Sequence, residues 1–134
     1  MSKEINKYDE NNNLVYYKGS SGYESWKEYD KNNNVIHFKS SSGSEFWWKF
    51  DKNNNLIYHK NSSGYEYWRK YDEKNNETHF KSSKNLEYWQ EYDKNNNCIY
   101  FKDSFGSEFW YKYDENGKKM CISQEEFEQI NSQN

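Results

Sequence analysis

The chain repeats itself every 21 residues, and 21 is an odd number. Trp26, Trp47, Trp68, Trp89 and Trp110 stand at that step without a slip. So do Glu24, Glu45, Glu66, Glu87 and Glu108, and so do Lys18, Lys39, Lys60, Lys81 and Lys102. Gly22, Gly43, Gly64 and Gly106 keep the step, with Asn85 in the remaining place. Tyr8, Tyr29, Phe50, Tyr71, Tyr92 and Tyr113 each precede an Asp. Self-similarity of this period marks a repeat architecture.

Each copy holds two short runs rich in aromatic and β-branched residues, such as LIYHK and YEYWRKY, separated by NSSG on one side and DKNNN on the other. That alternation of strand-formers and turn-formers predicts consecutive β-hairpins. Helices of three turns have no room between the Asn, Ser and Gly clusters. Counting the half unit KEINKY at the start and KKMCI at the end, the expectation is an all-β, antiparallel up-and-down meander of about twelve strands over residues 1–122. Residues 123–134 are expected to form a short C-terminal helix and tail. Ser123 and Glu126 are spaced as a capping box, and Phe127 and Ile130 share a face suited to covering the last strand and its open edge.

Side chains on a strand alternate between faces with period 2, so an odd repeat swaps faces at every copy unless one residue drops out. A three-residue SSG hairpin with Gly in a bulge would do this. The other turn would then be a two-residue type I′ loop, Asn32-Asn33 for example, with Gly117 at its second position in DENGK. This register places Lys39 opposite Glu45, Lys60 opposite Glu66 and Lys81 opposite Glu87. It also places Trp47 beside His37 and next to Lys60, a cation–π pairing. One face then carries Trp, Lys, Glu and Tyr or His. The other carries Ile36, Ile57 and Ile99 with Phe38, Phe46, Tyr67, Phe80, Phe101 and Phe109 and the Tyr of each Tyr-Asp pair, and is expected to be the more deeply buried.

A mean hydropathy of −1.54 would ordinarily suggest disorder, but an aromatic fraction of 21% supplies surface to bury. Pro and Ala are absent and Arg69 is the only arginine, as expected of an AT-rich genome, bacterial or phage. The net charge of −3 lacks the positive excess of a duplex-binding protein. The start MSKEINKYDE has no apolar run of a signal peptide, no stretch is long enough to span a membrane, and two cysteines suit a reducing compartment, so a cytoplasmic protein is expected.

The pattern of Tyr29, Asp30, Val35, Gly43, Phe50 and Asp51 resembles the YD repeat of Rhs and teneurin-type proteins, with Gly fourteen residues after the Tyr and the next aromatic-Asp pair at 21. The resemblance covers residues 4–122 and implies a β-hairpin strip, in a short stand-alone form. It departs from the family in putting Asn for the turn Gly everywhere except Gly117, and in fixing Trp, Lys and Glu. About five copies are too few for the shell that large members of the family build. A looser likeness to MORN repeats fits the period and the glycines less well.

No catalytic residue, metal ligand or cofactor site is expected. His37 and His79 fall on the Trp face and His59 on the other, each in a column otherwise filled by Tyr or Phe. Cys98 and Cys121 are two strands apart, about 9–10 Å, too far to bridge. The Asp of each Tyr-Asp pair offers a single carboxylate per tight turn, better suited to bonding its own backbone than to calcium. Each Glu faces a Lys, so no acid and base share a cleft. The candidate binding surface is the Trp row with the column that varies most between copies: Trp26, Trp47, Trp48, Trp68, Arg69, Trp89, Trp110 and Tyr111. Three functions stay open. One is a non-catalytic protein-interaction module, in its most concrete version a small phage or mobile-element inhibitor that occupies a nuclease or defence complex as anti-CRISPR proteins do. The second is binding of single-stranded nucleic acid or glycan on an aromatic ladder. The third is a structural fragment that forms a homodimer through the edge at Lys3–Tyr8.

Overall fold

A computed structural model describes residues 3–132. The strands are β1 (Ile5–Tyr8), β2 (Leu14–Lys18), β3 (Glu24–Tyr29), β4 (Val35–Ser40), β5 (Glu45–Phe50), β6 (Leu56–Asn61), β7 (Glu66–Tyr71), β8 (Glu77–Ser82), β9 (Glu87–Tyr92), β10 (Cys98–Asp103), β11 (Glu108–Tyr113) and β12 (Lys119–Ile122), followed by one helix, α1 (Gln124–Ser132). They pair in chain order in one antiparallel sheet, the expected meander. The chain divides into two compact units, residues 1–68 and 69–134. No helix among the described residues is long and apolar enough to cross a membrane.

The pairings across the hairpins are those expected: Lys39 opposite Glu45, Lys60 opposite Glu66, Lys81 opposite Glu87, and Trp47 between His37 and Lys60. The SSG turn is the three-residue hairpin expected, with its Gly left-handed, whereas the Asn turn is not the two-residue loop expected. Both kinds of turn have the same backbone, three loop residues with one left-handed residue at the third place. In the SSG turn Ser40 N donates to Ser44 O (2.9 Å), Gly43 N to Ser40 O (3.1 Å), and Gly43 has φ +96°. In the Asn turn Asp30 N donates to Asn34 O (2.9 Å), Asn33 N to Asp30 O (3.0 Å), and Asn33 has φ +66°. Gly117 likewise occupies the third place of its loop, not the second of two. A type I′ loop needs positive φ at two successive residues, whereas this turn needs it once, and Asn tolerates it best among residues with a side chain.

The odd residue is therefore dropped elsewhere. Tyr29 pairs with Val35 but Glu28 with His37; Phe50 pairs with Leu56 but Lys49 with Tyr58; Tyr92 pairs with Cys98 but Glu91 with Tyr100. Ile36, Ile57 and Ile99 are the extra residues of these β-bulges. A bulge interrupts the ladder of backbone bonds. A tyrosine of the following Tyr-Asp pair reaches such an interruption: Tyr113 Oη donates to Cys98 O (2.6 Å), beside the Ile99 bulge, and Tyr29 Oη to Leu14 O (2.7 Å), beside a like bulge at Val15, while Tyr92 Oη donates to Glu77 O (2.7 Å) at the corresponding place. That gives the Tyr-Asp pair two separate tasks, since the Asp caps its own turn. Asp30 Oδ1 accepts from Asn32 N (2.9 Å) and Asn34 N (3.0 Å), and these bonds, the Asn34 amide foremost, hold its carboxyl below the usual range.

Burial is shallow on both faces. Phe80, 6% exposed, is the only apolar side chain among the described residues that is buried; Ser25, Ser40 and Ser82 are buried too. All four lie on the phenyl face, where the deeper burial was expected, although Phe109 on that face is 41% exposed. Two of the three bulged isoleucines do not join that face. Ile36 and Ile57 line a groove with His37 and Trp47, so the bulge turns them towards the tryptophans. At the C-terminus Ser123 Oγ accepts from Glu126 N (3.1 Å), but the Glu126 carboxylate goes to Lys112 Nζ (2.9 Å) instead of closing the capping box. The helix accordingly packs against β11, one strand inside the edge it was expected to cover.

Candidate interaction surface

The Trp face is assembled from one motif used five times. Tyr16, His37, Tyr58, His79 and Tyr100 occupy the same column. Each stands opposite its tryptophan and reaches diagonally to its glutamate. Tyr16 Oη donates to Glu24 (2.5 Å), Tyr58 Oη to Glu66 (2.5 Å) and Tyr100 Oη to Glu108 (2.6 Å). His37 Nε2 lies 2.7 Å from Glu45 Oε2, and His79 Nε2 2.7 Å from Glu87 Oε2. A carboxylate only accepts, so each Nε2 carries the proton. The glutamates are thus taken by the rings. The bonded carboxylates push Tyr58 and Tyr100 up to about 12, because ionising the hydroxyl would set two anions together.

These rings pack on the indoles. The tyrosine centroids lie 5.7–5.8 Å from Trp26, Trp68 and Trp110, tilted by 48–50°. His37 and His79 lie 5.4 Å from Trp47 and Trp89, nearly parallel at 17° and 14°. Lys60 Nζ stands 5.7 Å over Trp47, and Lys7 and Lys49 stand 5.3 and 5.2 Å over Tyr16 and Tyr58. So fixed, Trp26, Trp68 and Trp89 still leave 37–41% of their surface open. Beside them, Ile36, Ile57, His37, Trp47 and Lys49 bound an open groove of 510 Å³ in the unit of residues 1–68.

The eight candidate residues do not form one surface. Trp26, Trp47, Trp68, Trp89 and Trp110 share the Trp face, while Trp48, Arg69 and Tyr111 project from the opposite one, as the alternation along each strand requires. Trp48 packs on Phe46 and His59, at 5.8 and 5.6 Å. Arg69 pairs with Glu77 (3.2 Å) and lies over Phe80 (5.4 Å). Lys119 Nζ stands 3.9 Å over Tyr111. His59, against Phe46, Trp48 and Tyr67, is pushed below its ordinary pKa by burial. Cys98 and Cys121 are both free thiols.

Sequence reasoning missed two sets of bonds between neighbouring copies. Along the Asn turns, Asn13 Nδ2 donates to Asn33 Oδ1 (2.8 Å), Asn34 Nδ2 to Asn54 Oδ1 (3.0 Å) and Asn76 Nδ2 to Asn96 Oδ1 (2.9 Å). Along the other turns, the hydroxyls of Ser41, Ser62 and Ser104 accept from the backbone of Glu24, Glu45 and Glu87. A signal for the diagonal bond was present. The column of Tyr16, His37, Tyr58, His79 and Tyr100 never contains Phe, whereas its neighbour holds Phe38, Phe80 and Phe101. A column that keeps a donor in every copy needs the donor.

The fold defines the class as a β-hairpin repeat sheet. It is similar to chains in a crystal structure of TcdB2-TccC3-Cdc42 (TM-score 0.68) and in one of TcdB2-TccC3-TEV (0.66), both at 13% identity. A structure of the Photorhabdus luminescens Tc holotoxin pore matches at 0.65 and the same identity. Each match covers 87% of this chain but only 6–7% of the other. No family model and no curated protein sequence matches.

Proposed function

We propose that the chain is a non-catalytic protein-interaction module, a short hairpin-repeat sheet of the YD-repeat kind, which receives a protein partner on its Trp face. The observation that carries this reading is the combination of exposure and fixity in Trp26, Trp68 and Trp89. Each indole is more than a third open yet clamped by a Tyr or His ring that is itself bonded to a carboxylate. A pre-ordered aromatic surface loses little side-chain entropy on binding, which is why Trp and Tyr dominate interface hot spots. The carboxylate beside every indole works against phosphate backbones, so a protein is favoured over nucleic acid. The narrower reading, an inhibitor of a nuclease or defence complex, rests on size and composition alone.

The test is capture from bacterial lysate on the immobilised chain. A near-stoichiometric protein that is lost with Trp68→Ala and retained with Tyr111→Ala, on the opposite face, is the expected result. Capture that ignores Trp68→Ala, or recovery of no protein, counts against it. Tryptophan fluorescence titrated with oligonucleotides at low salt, and with glycans, should stay flat.

A further inference from the structure

Both compact units contain the same groove beside a bulge, and the chain's helix is spent on one of them. In residues 69–134, Asp93, Ile99, Tyr111, Lys112 and Tyr113 line a cavity of 480 Å³ that α1 closes with Phe127, Ile130 and Asn131. Glu126, just before Phe127, anchors the helix to Lys112 at 2.9 Å. Three repeats earlier, 63 positions back, the five sheet residues become Asp30, Ile36, Trp48, Lys49 and Phe50. All five line the open 510 Å³ groove of residues 1–68. Ile99 with Lys112 and Ile36 with Lys49 are thus presented on the same backbone framework, the first pair with a helix and the second without.

We propose that this open groove is a docking site for an acidic amphipathic helix of a partner protein, presenting Glu-Phe-x-x-Ile as α1 does. The proposal rests on the protein-interaction reading and narrows it to one kind of partner. Residues at i and i+3 of a helix fall on one face and can enter a groove together. Lys49, solvent-exposed, stands where Lys112 meets Glu126 and offers a cation to the Glu of such a helix; the groove also carries Glu28 and Asp30, and Asp93, the counterpart of Asp30, lines the cavity that α1 closes. The lining of the open groove is also the more apolar of the two. Ile57 with Lys70 keeps both residues, whereas Val15 with Glu28, and Thr78 with Glu91, hold the same two places in other repeats where both the isoleucine and the cation are missing. A second copy of this chain is a poorer occupant, because its α1 would have to leave its own cavity and expose Phe127.

The experiment uses the ¹⁵N-labelled full chain and a side-chain-stapled peptide of residues 122–132. Saturable shifts at Ile36, Ile57 and the Trp47 indole are expected. Lys49→Glu should weaken binding about fivefold, the worth of one partly exposed ion pair, and a peptide carrying Glu126→Lys should restore it on that variant. Shifts confined to the surroundings of Ile99, no shift within residues 30–57, or an affinity indifferent to the charge swap overturn the proposal. A lysate partner that requires Trp68 but ignores both Ile36→Asp and Lys49→Glu overturns the helix while leaving the interaction reading standing. A peptide that docks while no partner depends on Trp68 does the reverse.

Discussion

The Trp face and the phenyl face are made from the same strands, yet they obey different rules. On the Trp face every ring in the Tyr/His column has a polar handle, and each described handle ends on the same glutamate position. On the phenyl face rings meet rings: Phe38 with Phe46 at 5.9 Å, Phe80 with Tyr88 at 5.0 Å, Phe101 with Phe109 at 6.3 Å. There the columns drift among Phe, Tyr, His and Ser. Repetition in this molecule therefore follows polar geometry more closely than burial. The face that repeats most strictly is the one with three tryptophans more than a third exposed. Apolar packing tolerates any ring of about the right size, whereas a bond between a hydroxyl and a carboxylate tolerates few substitutes.

That contrast can be broken by measurement. Phe80→Ala removes the best-buried ring and should cost about 3 kcal/mol in urea unfolding; a cost below that of the polar substitutions would reverse the assignment of the two faces. Tyr58→Phe keeps the ring and deletes the bond to Glu66, for an expected loss of about 1.5 kcal/mol. Its mirror experiment, Phe38→Tyr on the other face, should be close to neutral. If both hydroxyl changes cost the same, the distinction fails. Absorbance at 295 nm sharpens the point. Tyrosines held un-ionised by a bonded carboxylate stabilise the fold fully below pH 10, where free tyrosine ionises, and lose that contribution as pH rises through about 12. Unfolding should therefore become easier across pH 10–12, and less steeply so in Tyr58→Phe. Lys60→Met, which removes only the cation over Trp47, should cost about 0.5 kcal/mol and be insensitive to changes in the phenyl face.

The meander, its register and its facing residues were legible because an odd period and a fixed Trp-Lys-Glu pattern admit one pairing. The SSG turn was legible too, but the chemistry of the Asn turn was not. DKNNN reads as a two-residue loop if only backbone preference is considered. What decides it is Asp30 capping two amides while Asn33 alone takes positive φ. The bulge at Ile36 followed from that error, since the dropped residue was sought at glycine. For the candidate surface, the five tryptophans were placed on one face correctly. Trp48, Arg69 and Tyr111 were joined to them because they vary, although variation carries no direction and period 2 sends them to the other side. The cavity beneath α1 was beyond reach, because nothing local in SQEEFEQI says that Glu126 will choose Lys112 over its own cap.

The asparagine ladder has a further consequence. Asn13 bonds Asn33 and Asn34 bonds Asn54, twenty positions on in each case; the Tyr-Asp tyrosines reach back fifteen and the turn serines seventeen. Among the described residues, none of these bonds skips a copy. Excising one 21-residue block would leave every surviving stitch with a partner of the same kind, as would inserting one. Length in this protein is then an adjustable quantity, with each added block bringing another clamped tryptophan.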